Sequence, residues 1–294
     1  MRIVEVGLRD GLQNEAVPVP TEVKLRFIEN LIAAGLTELE VASFVSPTQV
    51  PQMADADSLW PQLPKGPRFL ALVPNARGWA RAQAVGVDEI AVFTAASETF
   101  VQRNINATIA ESLTHFAEFT RSPGLKRVRG YVSTAFECPF EGRIAPGKVV
   151  EVANQLIELG CTEISLGDTI GVATPNEVRA LIRELKASFG SQPDQIFWHF
   201  HDTNGTAIAN VAACLEAGDW AGFDASAAGL GGCPFAPGAA GNLATEDLVY
   251  FLDRQGLPTS VDLGRLAQAS MEVLAVLGRS VASKAQSAAL ARSR

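Results

Sequence analysis

The feature that most constrains the fold is a repeated alternation between short apolar runs and longer helical patterns. Apolar, often β-branched runs predict strands at 3–6, 39–42, 69–73, 90–93, 128–133, 163–166, 196–199 and 222–225. Helical patterns follow at 21–34, 54–59, 75–84, 109–120, 147–159, 175–189, 207–217 and 245–254. Apolar strands that alternate with helices imply a parallel sheet buried on both faces. Eight such units predict an α/β fold, a closed (β/α)₈ TIM barrel.

The length of the chain fits one domain of this kind. It has 294 residues, of which 47% are hydrophobic, so it can bury a large core. We expect a single domain over 1–294, with the barrel core at about 1–256 and a helical appendix at about 262–282. The pattern over 263–277 predicts an extra C-terminal helix, and the small, polar end at 283–294 is expected to fray.

Charge and composition exclude several classes of partner. The 24 Lys and Arg residues stand against 32 Asp and Glu, and the net charge of −8 argues against binding to nucleic acid or an anionic membrane. No apolar run approaches the length of a membrane span, and the N-terminus enters a strand pattern without a signal peptide. The four cysteines show neither metal-ligand spacing nor a disulfide framework. We therefore expect a reduced, cytoplasmic enzyme.

Polar residues cluster where the predicted strands end, which is where the chemistry of a TIM barrel lies. The residues at these ends are Arg9, Asp10, Glu40, Ser43, Ser165, Asp168, His199, His201, Cys233 and Asn242. Their placement at one end of the barrel predicts a single active site there.

A divalent metal site is predicted at the end of the seventh strand. His199 and His201 are two residues apart, and the two-residue period of a strand points both imidazoles to the same side. Asp10 supplies an anionic oxygen and Asn242 a neutral one. A mixed nitrogen and oxygen set without a thiolate suits Mg²⁺ or Mn²⁺ better than a closed zinc site. The alternative is a pair of hydrogen-bonded polar residues at a strand end.

The eighth strand is followed by a glycine-rich loop that contains one thiol, Cys233. Glycines permit close approach of backbone to a ligand, and a lone thiol among them has no packing role, so we interpret the loop as a mobile flap with a reactive group. Asn242 and Glu246 stand at i and i+4 where the next helix begins, so both can point the same way. The alternative is a loop that is merely rich in glycine.

Five segments of the chain resemble the 3-hydroxy-3-methylglutaryl-CoA lyases, a family of TIM-barrel metallolyases. They are residues 4–15 (VEVGLRDGLQNE), 43–53 (SFVSPTQVPQM), 163–171 (EISLGDTIG), 199–205 (HFHDTNG) and 228–252 (AGLGGCPFAPGAAGNLATEDLVYFL). The resemblance covers nearly the whole chain. It is more specific for the family than for the substrate, because sister lyases cleave related acyl-CoA esters.

The resemblance implies roles for individual residues. Asp10, His199, His201 and Asn242 match the metal ligands of these lyases. Arg9 matches the catalytic arginine, and Cys233 matches the catalytic acid or base on the flap. The remaining matches place Glu40 and Asp168 in the active site, with Asp168 a candidate in proton transfer, and assign Asn104 and Ser165 to the acyl-CoA. We also expect Ser43 and Arg9 to contact the substrate, and Gln13 and Glu246 to support the site.

Together these residues indicate metal-assisted cleavage of a carbon–carbon bond through an enolate. The metal would lower the pKa of a substrate hydroxyl, Arg9 would stabilise the enolate of the thioester, and Cys233 would protonate its carbon. The resemblance implies that 3-hydroxy-3-methylglutaryl-CoA is cleaved to acetoacetate and acetyl-CoA, in leucine or ketone-body metabolism. The alternatives are a lyase for citramalyl-CoA or a longer-branched glutaryl-CoA, a Claisen-condensing synthase and a non-catalytic binding barrel. The sequence also allows that two chains form a homodimer.

The chain departs from the usual pattern of the family at several positions near the expected pocket. These are Leu8, Ala16, Ala42, Thr134, Glu137 and Asn204. The inferred metal ligands and catalytic residues are complete, so the departures put in doubt the shape of the acyl pocket rather than the chemistry.

Overall fold

The computed structural model describes residues 1–190, 195–218, 220–232 and 241–292. Its strands, in chain order, are β1 (Arg2–Glu5), β2 (Glu38–Ser43), β3 (Arg68–Leu72), β4 (Glu89–Ala95), β5 (Arg127–Ser133), β6 (Glu137–Cys138), β7 (Gly142–Arg143), β8 (Glu163–Asp168), β9 (Ile196–Phe200) and β10 (Gly222–Ala225). All except β6 and β7 form a closed parallel barrel in the order β1-β10-β9-β8-β5-β4-β3-β2. The predicted strands and the predicted TIM barrel are therefore confirmed.

The helices pack around this barrel. They are α1 (Thr21–Ala33), α2 (Ala56–Leu59), α3 (Ala76–Ala84), α4 (Glu98–Ile105), α5 (Ile109–Ala117), α6 (Pro146–Glu158), α7 (Pro175–Phe189), α8 (Ala207–Ala217), α9 (Thr245–Arg254), α10 (Leu263–Ala269), α11 (Met271–Leu277) and α12 (Lys284–Arg292). Capping residues define where two of these helices begin. Thr108 with Glu111, and Thr174 with Glu177, form capping boxes that satisfy unpaired N–H groups at the first turns of α5 and α7.

Charged side chains close the bottom of the barrel, where the strands begin. Arg2 Nη2 lies 2.6 Å from Glu163 Oε1, and Arg68 donates to Glu38 and Glu89 at 2.6 and 2.7 Å. Strand starts in a barrel lie opposite the catalytic end, so this ring of ion pairs belongs to the stability of the fold.

Two segments between β4 and β8 were not predicted. Helix α4 precedes α5 in the fourth unit, and Ser97 caps it by accepting a hydrogen bond from the backbone N–H of Phe100. A two-stranded hairpin, β6 with β7, follows β5. Both elements are short, and a run of only a few residues carries little hydrophobic periodicity.

The C-terminal prediction was wrong in two respects. The pattern over 263–277 forms two helices, α10 and α11, rather than one. Residues 284–292, which were expected to fray, form α12, which packs Ala285 and Ala289 inward and buries Gln286, whose Nε2 donates to Ala267 O at 2.9 Å and to Ser270 Oγ at 2.8 Å. A small alanine face and the two hydrogen bonds of the Gln286 Nε2 group therefore hold this helix against the domain.

No helix in the described part of the chain combines the length and the apolar character that a membrane span requires.

Candidate metal centre and active site

Three predicted metal ligands converge at the C-terminal end of the barrel. His199 lies in β9 and His201 directly follows the strand, so both rings face the same side, with centroids 5.3 Å apart. Asp10 comes from a single π-helical turn, Gly7–Gly11, that follows β1. One potential ligand atom from each of the three residues lies within 4.8 Å of the others. These three side chains are close enough together to bind one metal ion.

Asn242 completes the set from the segment before α9. It pairs with His201 in an isolated antiparallel bridge. Its Nδ2 donates to Asp10 Oδ2 at 2.8 Å and to Leu230 O at 3.0 Å, while Oδ1 is buried and has no hydrogen-bond partner among the described residues. A buried acceptor without a donor is costly unless a ligand satisfies it. The residues present therefore fit a divalent cation held by carboxylate, imidazole and amide.

The electrostatics keep Asp10 and His201 in forms that can bind a metal. Burial raises the pKa of Asp10, but Arg9 and the two histidines outweigh it and hold that pKa well below its usual range. Burial and the neighbouring His199 lower the pKa of His201 to about 4, so this imidazole is neutral near pH 7. For His199, burial lowers the pKa, but the hydrogen bond that its Nδ1 makes to Asp224 and the charge of Asp10 raise it above its usual value.

Arg9 is held beside the cluster by two carboxylates and one aromatic ring. Its Nη1 donates to Asp10 Oδ1 at 2.6 Å and its Nη2 to Glu40 Oε2 at 2.7 Å. Its guanidinium carbon lies 5.2 Å from the ring centroid of Tyr131, whose hydroxyl also donates to Glu40 Oε2 at 2.8 Å. Burial opposes the charge of Arg9, but Glu40 and Asp10 raise its pKa well above the usual value. Arg9 is therefore a fixed, fully charged cation.

A cavity of about 150 Å³ opens above these residues. Arg9, Asp10, His199 and His201 line its floor, and Leu72, Phe93, Phe100 and Val132 contribute apolar wall. It adjoins a larger groove of about 830 Å³, which shares Gln13 and Asn104 with the cavity and carries Arg77 and Arg103. In an acidic chain, these two arginines are local cations that could meet an anionic substrate.

Other predicted site residues lie at different depths. Gln13 and Asn104 line the cavity. Ser43 is fully buried, and its hydroxyl has no hydrogen-bond partner in the described part of the molecule. Ser165 is also fully buried and donates to Asp224 Oδ2 at 2.7 Å. Contact of Ser43 and Ser165 with a substrate stays a prediction. Cys233 lies outside the described residues.

Asp168 and Glu246 hold backbone. The two carboxylate oxygens of Asp168 accept from the N–H groups of Val172 and Ala173 at 3.0 and 3.1 Å, and burial raises its pKa to about 6 despite these bonds. Both oxygens of Glu246 accept from Ala228 N at 3.1 and 2.9 Å. Ala228 has φ +61°, which is unusual for a residue with a Cβ, so Glu246 stabilises a strained turn that follows β10.

Sequence reasoning missed two buried residues that contact the site. Tyr131 on β5 links Arg9 to Glu40, and Asp224 on β10 lies 3.1 Å from His199 Nδ1. The available signal was a polar residue inside a short apolar strand, as in GFDA at 222–225. Such a residue must find a partner inside the barrel.

Comparisons with known proteins agree with this geometry. The model of the HMGL-like family matches residues 1–273. The chain is 48% identical to a hydroxymethylglutaryl-CoA lyase of Pseudomonas mevalonii, over 100% of this chain and 98% of the relative. It is 46% identical to a 3-hydroxy-3-isohexenylglutaryl-CoA/hydroxymethylglutaryl-CoA lyase of Pseudomonas aeruginosa, over 99% and 98%. The crystal structure of hydroxymethylglutaryl-CoA lyase from Pseudomonas aeruginosa superposes with a TM-score of 0.94 at 46% identity, covering 99% of this chain and 97% of that one.

Proposed function

We propose, starting from the fact that the chain belongs to the HMGL-like family, that it is a carbon–carbon lyase for 3-hydroxy-3-methylglutaryl-CoA. The products are acetoacetate and acetyl-CoA, released by a retro-Claisen reaction through an enolate. The full-length relatives at 46–48% identity carry this activity in their names, which supports the same substrate here.

The observation that carries the proposal is the buried cluster beside a charged arginine. Asp10, His199, His201 and Asn242 would hold one divalent cation, and we propose Mg²⁺ or Mn²⁺ because the set contains oxygen and imidazole but no thiolate. When bound, the cation supplies a Lewis acid that lowers the pKa of a substrate hydroxyl. We assign charge stabilisation and proton transfer to side chains of the protein.

Arg9 stabilises the negative charge that develops when the carbon–carbon bond breaks. Glu40 and Asp10 fix its guanidinium in two directions, so the cation needs no reorganisation during the reaction. A preorganised donor in a site of low dielectric stabilises a forming enolate oxygen more than it stabilises the neutral thioester. Tyr131 donates to the same oxygen of Glu40 that Arg9 contacts, and so helps to hold that carboxylate in place.

Two proton transfers remain to be assigned. The substrate hydroxyl must lose a proton, and Asp168, with a pKa raised to about 6 by burial, is our candidate for the acceptor. Its two hydrogen bonds to backbone N–H groups compete with that role. We propose Cys233 as the group that protonates the enolate carbon, on the basis of its position in the glycine-rich sequence between Gly232 and Pro234.

The acyl-CoA would lie with its thioester in the cavity and its coenzyme portion in the adjoining groove. Asn104 lines both spaces, and Arg77 and Arg103 lie along the groove.

We further propose that the enzyme acts in the cytoplasm, in leucine degradation or ketone-body formation. We also propose that each chain forms one domain and that two chains form a homodimer. The buried free thiols of Cys138, Cys161 and Cys214 agree with a reducing compartment.

A product analysis tests the proposal. Purified protein with Mg²⁺ or Mn²⁺ is incubated with 3-hydroxy-3-methylglutaryl-CoA, with citramalyl-CoA and with a longer-branched 3-hydroxyglutaryl-CoA, and the products are quantified by liquid chromatography. We expect acetyl-CoA and acetoacetate in equal amounts from the first thioester. Faster release of pyruvate from citramalyl-CoA would reassign the substrate. Absence of cleavage of all three thioesters with either metal would remove the proposed function.

A further inference from the structure

A carboxylate with no assigned role lies directly behind one of the metal-site histidines. Asp224 projects from β10 into the barrel and is 1% exposed. Its Oδ2 lies 3.1 Å from His199 Nδ1 and accepts from Ser165 Oγ at 2.7 Å. Its Oδ1 accepts from Arg129 Nη2. Both oxygens therefore face donors, and the three partners come from three different strands of the barrel.

Arg129 fixes the far side of this carboxylate. It is fully buried, and its guanidinium carbon stacks 4.1 Å from the ring centroid of Phe197. Its Nη1 lies 3.5 Å from Glu163 Oε2, which connects it to the charged ring at the bottom of the barrel. A guanidinium packed against an aromatic ring and held at both ends has little freedom to move. Asp224 and the arginine that holds it both lie on barrel strands, so the carboxylate has a fixed position.

The consequence for His199 is a defined tautomer. An imidazole nitrogen that faces a carboxylate oxygen carries a hydrogen, so His199 donates through Nδ1 and keeps the lone pair of a neutral ring on Nε2. That Nε2 is the nitrogen directed to the cluster, 3.8 Å from Asp10 Oδ2. His201 differs, because its Nδ1 is buried without a hydrogen-bond partner in the described ranges.

We infer that Asp224 is a positioning residue that orients His199 and fixes its Nδ1–H tautomer, so that Nε2 is available to the divalent cation. Ser165 and Arg129 orient Asp224 in turn. The inference rests on the proposed metal site. It implies that the tautomer of His199 is fixed before the metal binds, whereas that of His201 is not.

The substitution Asp224→Asn tests this role with almost no change in volume. Arg129 can only donate, so it selects the amide oxygen of the new side chain at the Oδ1 position. The amide NH₂ then faces His199 Nδ1, which must accept instead of donate. The proton moves to Nε2, where it blocks the metal. Removal of such an outer partner typically lowers metal affinity by about 10- to 100-fold.

Binding of Mn²⁺, followed by the electron paramagnetic resonance of the free ion, measures this effect without turnover. We expect the dissociation constant of Asp224→Asn to rise by about 10- to 100-fold. Asp262→Asn is the matched control, because Asp262 caps α10 at an exposed position and asparagine caps equally well. Its affinity should equal that of the wild type. A folded Asp224→Asn protein with wild-type affinity for Mn²⁺ would overturn the inference.

A measurement on the wild-type protein covers the case in which Asp224→Asn does not fold. The chain has only 3 histidines, so ¹⁵N-labelled histidine gives a simple spectrum of ring nitrogens. With saturating Mg²⁺, we expect one buried ring with a protonated Nδ1 hydrogen-bonded to a carboxylate. A His199 ring with its proton on Nε2 would overturn the inference.

These readouts also separate the inference from the proposed function. A wild-type protein that binds Mn²⁺ through a His199 with Nδ1–H but cleaves no thioester supports the role of Asp224 and contradicts the lyase. A wild-type protein that binds no Mn²⁺ contradicts the metal site and the positioning role together.

Discussion

Replacement of Arg9 by lysine should separate the charge of this residue from its geometry. The guanidinium donates at the same time to Asp10 and Glu40, at 2.6 and 2.7 Å, and lies against Tyr131. Lysine keeps the positive charge but presents one nitrogen at the end of a flexible stem. It can contact one carboxylate well, so it leaves the other short of a donor and removes the fixed direction toward the substrate.

The expected loss follows from these contacts. A hydrogen bond to a charged group contributes about 1.5–3 kcal/mol, and each 1.4 kcal/mol corresponds to about a tenfold change. Loss of one preorganised donor to a developing oxyanion lowers kcat by about 10²- to 10³-fold. We therefore expect kcat of Arg9→Lys to fall by about two to three powers of ten, while KM changes much less because the site keeps its charge.

Steady-state cleavage of 3-hydroxy-3-methylglutaryl-CoA measures both constants. The matched control is Arg26→Lys, which removes a similar two-point contact: Arg26 donates to Glu272 through Nε at 3.0 Å and Nη2 at 2.6 Å, but at the surface. That variant should keep wild-type kinetics, and thermal unfolding should show that both variants are folded. A kcat of Arg9→Lys within about threefold of the wild type would refute the role of Arg9 in the transition state.

Three further predictions concern the metal site, the thiol and a buried acid. His201→Ala should lose both bound metal, measured by elemental analysis, and turnover; retention of both would remove His201 as a ligand. Cys233→Ser should keep its fold and its metal but lose most of its turnover. An alkylating reagent should label Cys233 of the wild type before the other thiols, and bound substrate should slow this labelling. Peptide mapping that finds another thiol labelled first would contradict the role of Cys233. Burial raises the pKa of Glu246 from 4.5 to about 8, so ionisation of this one group should lower the unfolding free energy by up to about 5 kcal/mol as pH rises from about 4.5 to 8. Urea unfolding at pH 5 and 8.5 should show a smaller decrease in Glu246→Gln, and equal decreases would contradict the shift.

The barrel could be predicted from sequence because its signal is local. A parallel strand that is buried on both faces is apolar along its length, and each such run stood between helical patterns. The two-residue spacing of His199 and His201 gave their common direction, which the ring positions confirm. Asp10 could be added because strand ends in a barrel meet at one side.

The partners of these residues could not be predicted because they are distant in sequence. Asp224 lies 25 positions from His199, and Tyr131 lies 91 positions from Glu40. No spacing rule joins residues across a barrel until the register of its strands is known. Composition also misled at the C-terminus, since a small-residue tail suggested fraying although its alanines dock α12 against the domain.

The central claim is that one divalent cation in the cluster of Asp10, His199, His201 and Asn242 is required for cleavage. The most direct test is to chelate the purified protein exhaustively and then to add Mn²⁺ in steps, with bound metal and acetyl-CoA formation measured on the same samples. We predict no turnover in the chelated protein, and a rise in activity that follows binding to a limit of one Mn²⁺ per chain. Full activity in the protein without metal, or activity that does not follow occupancy, would contradict the account.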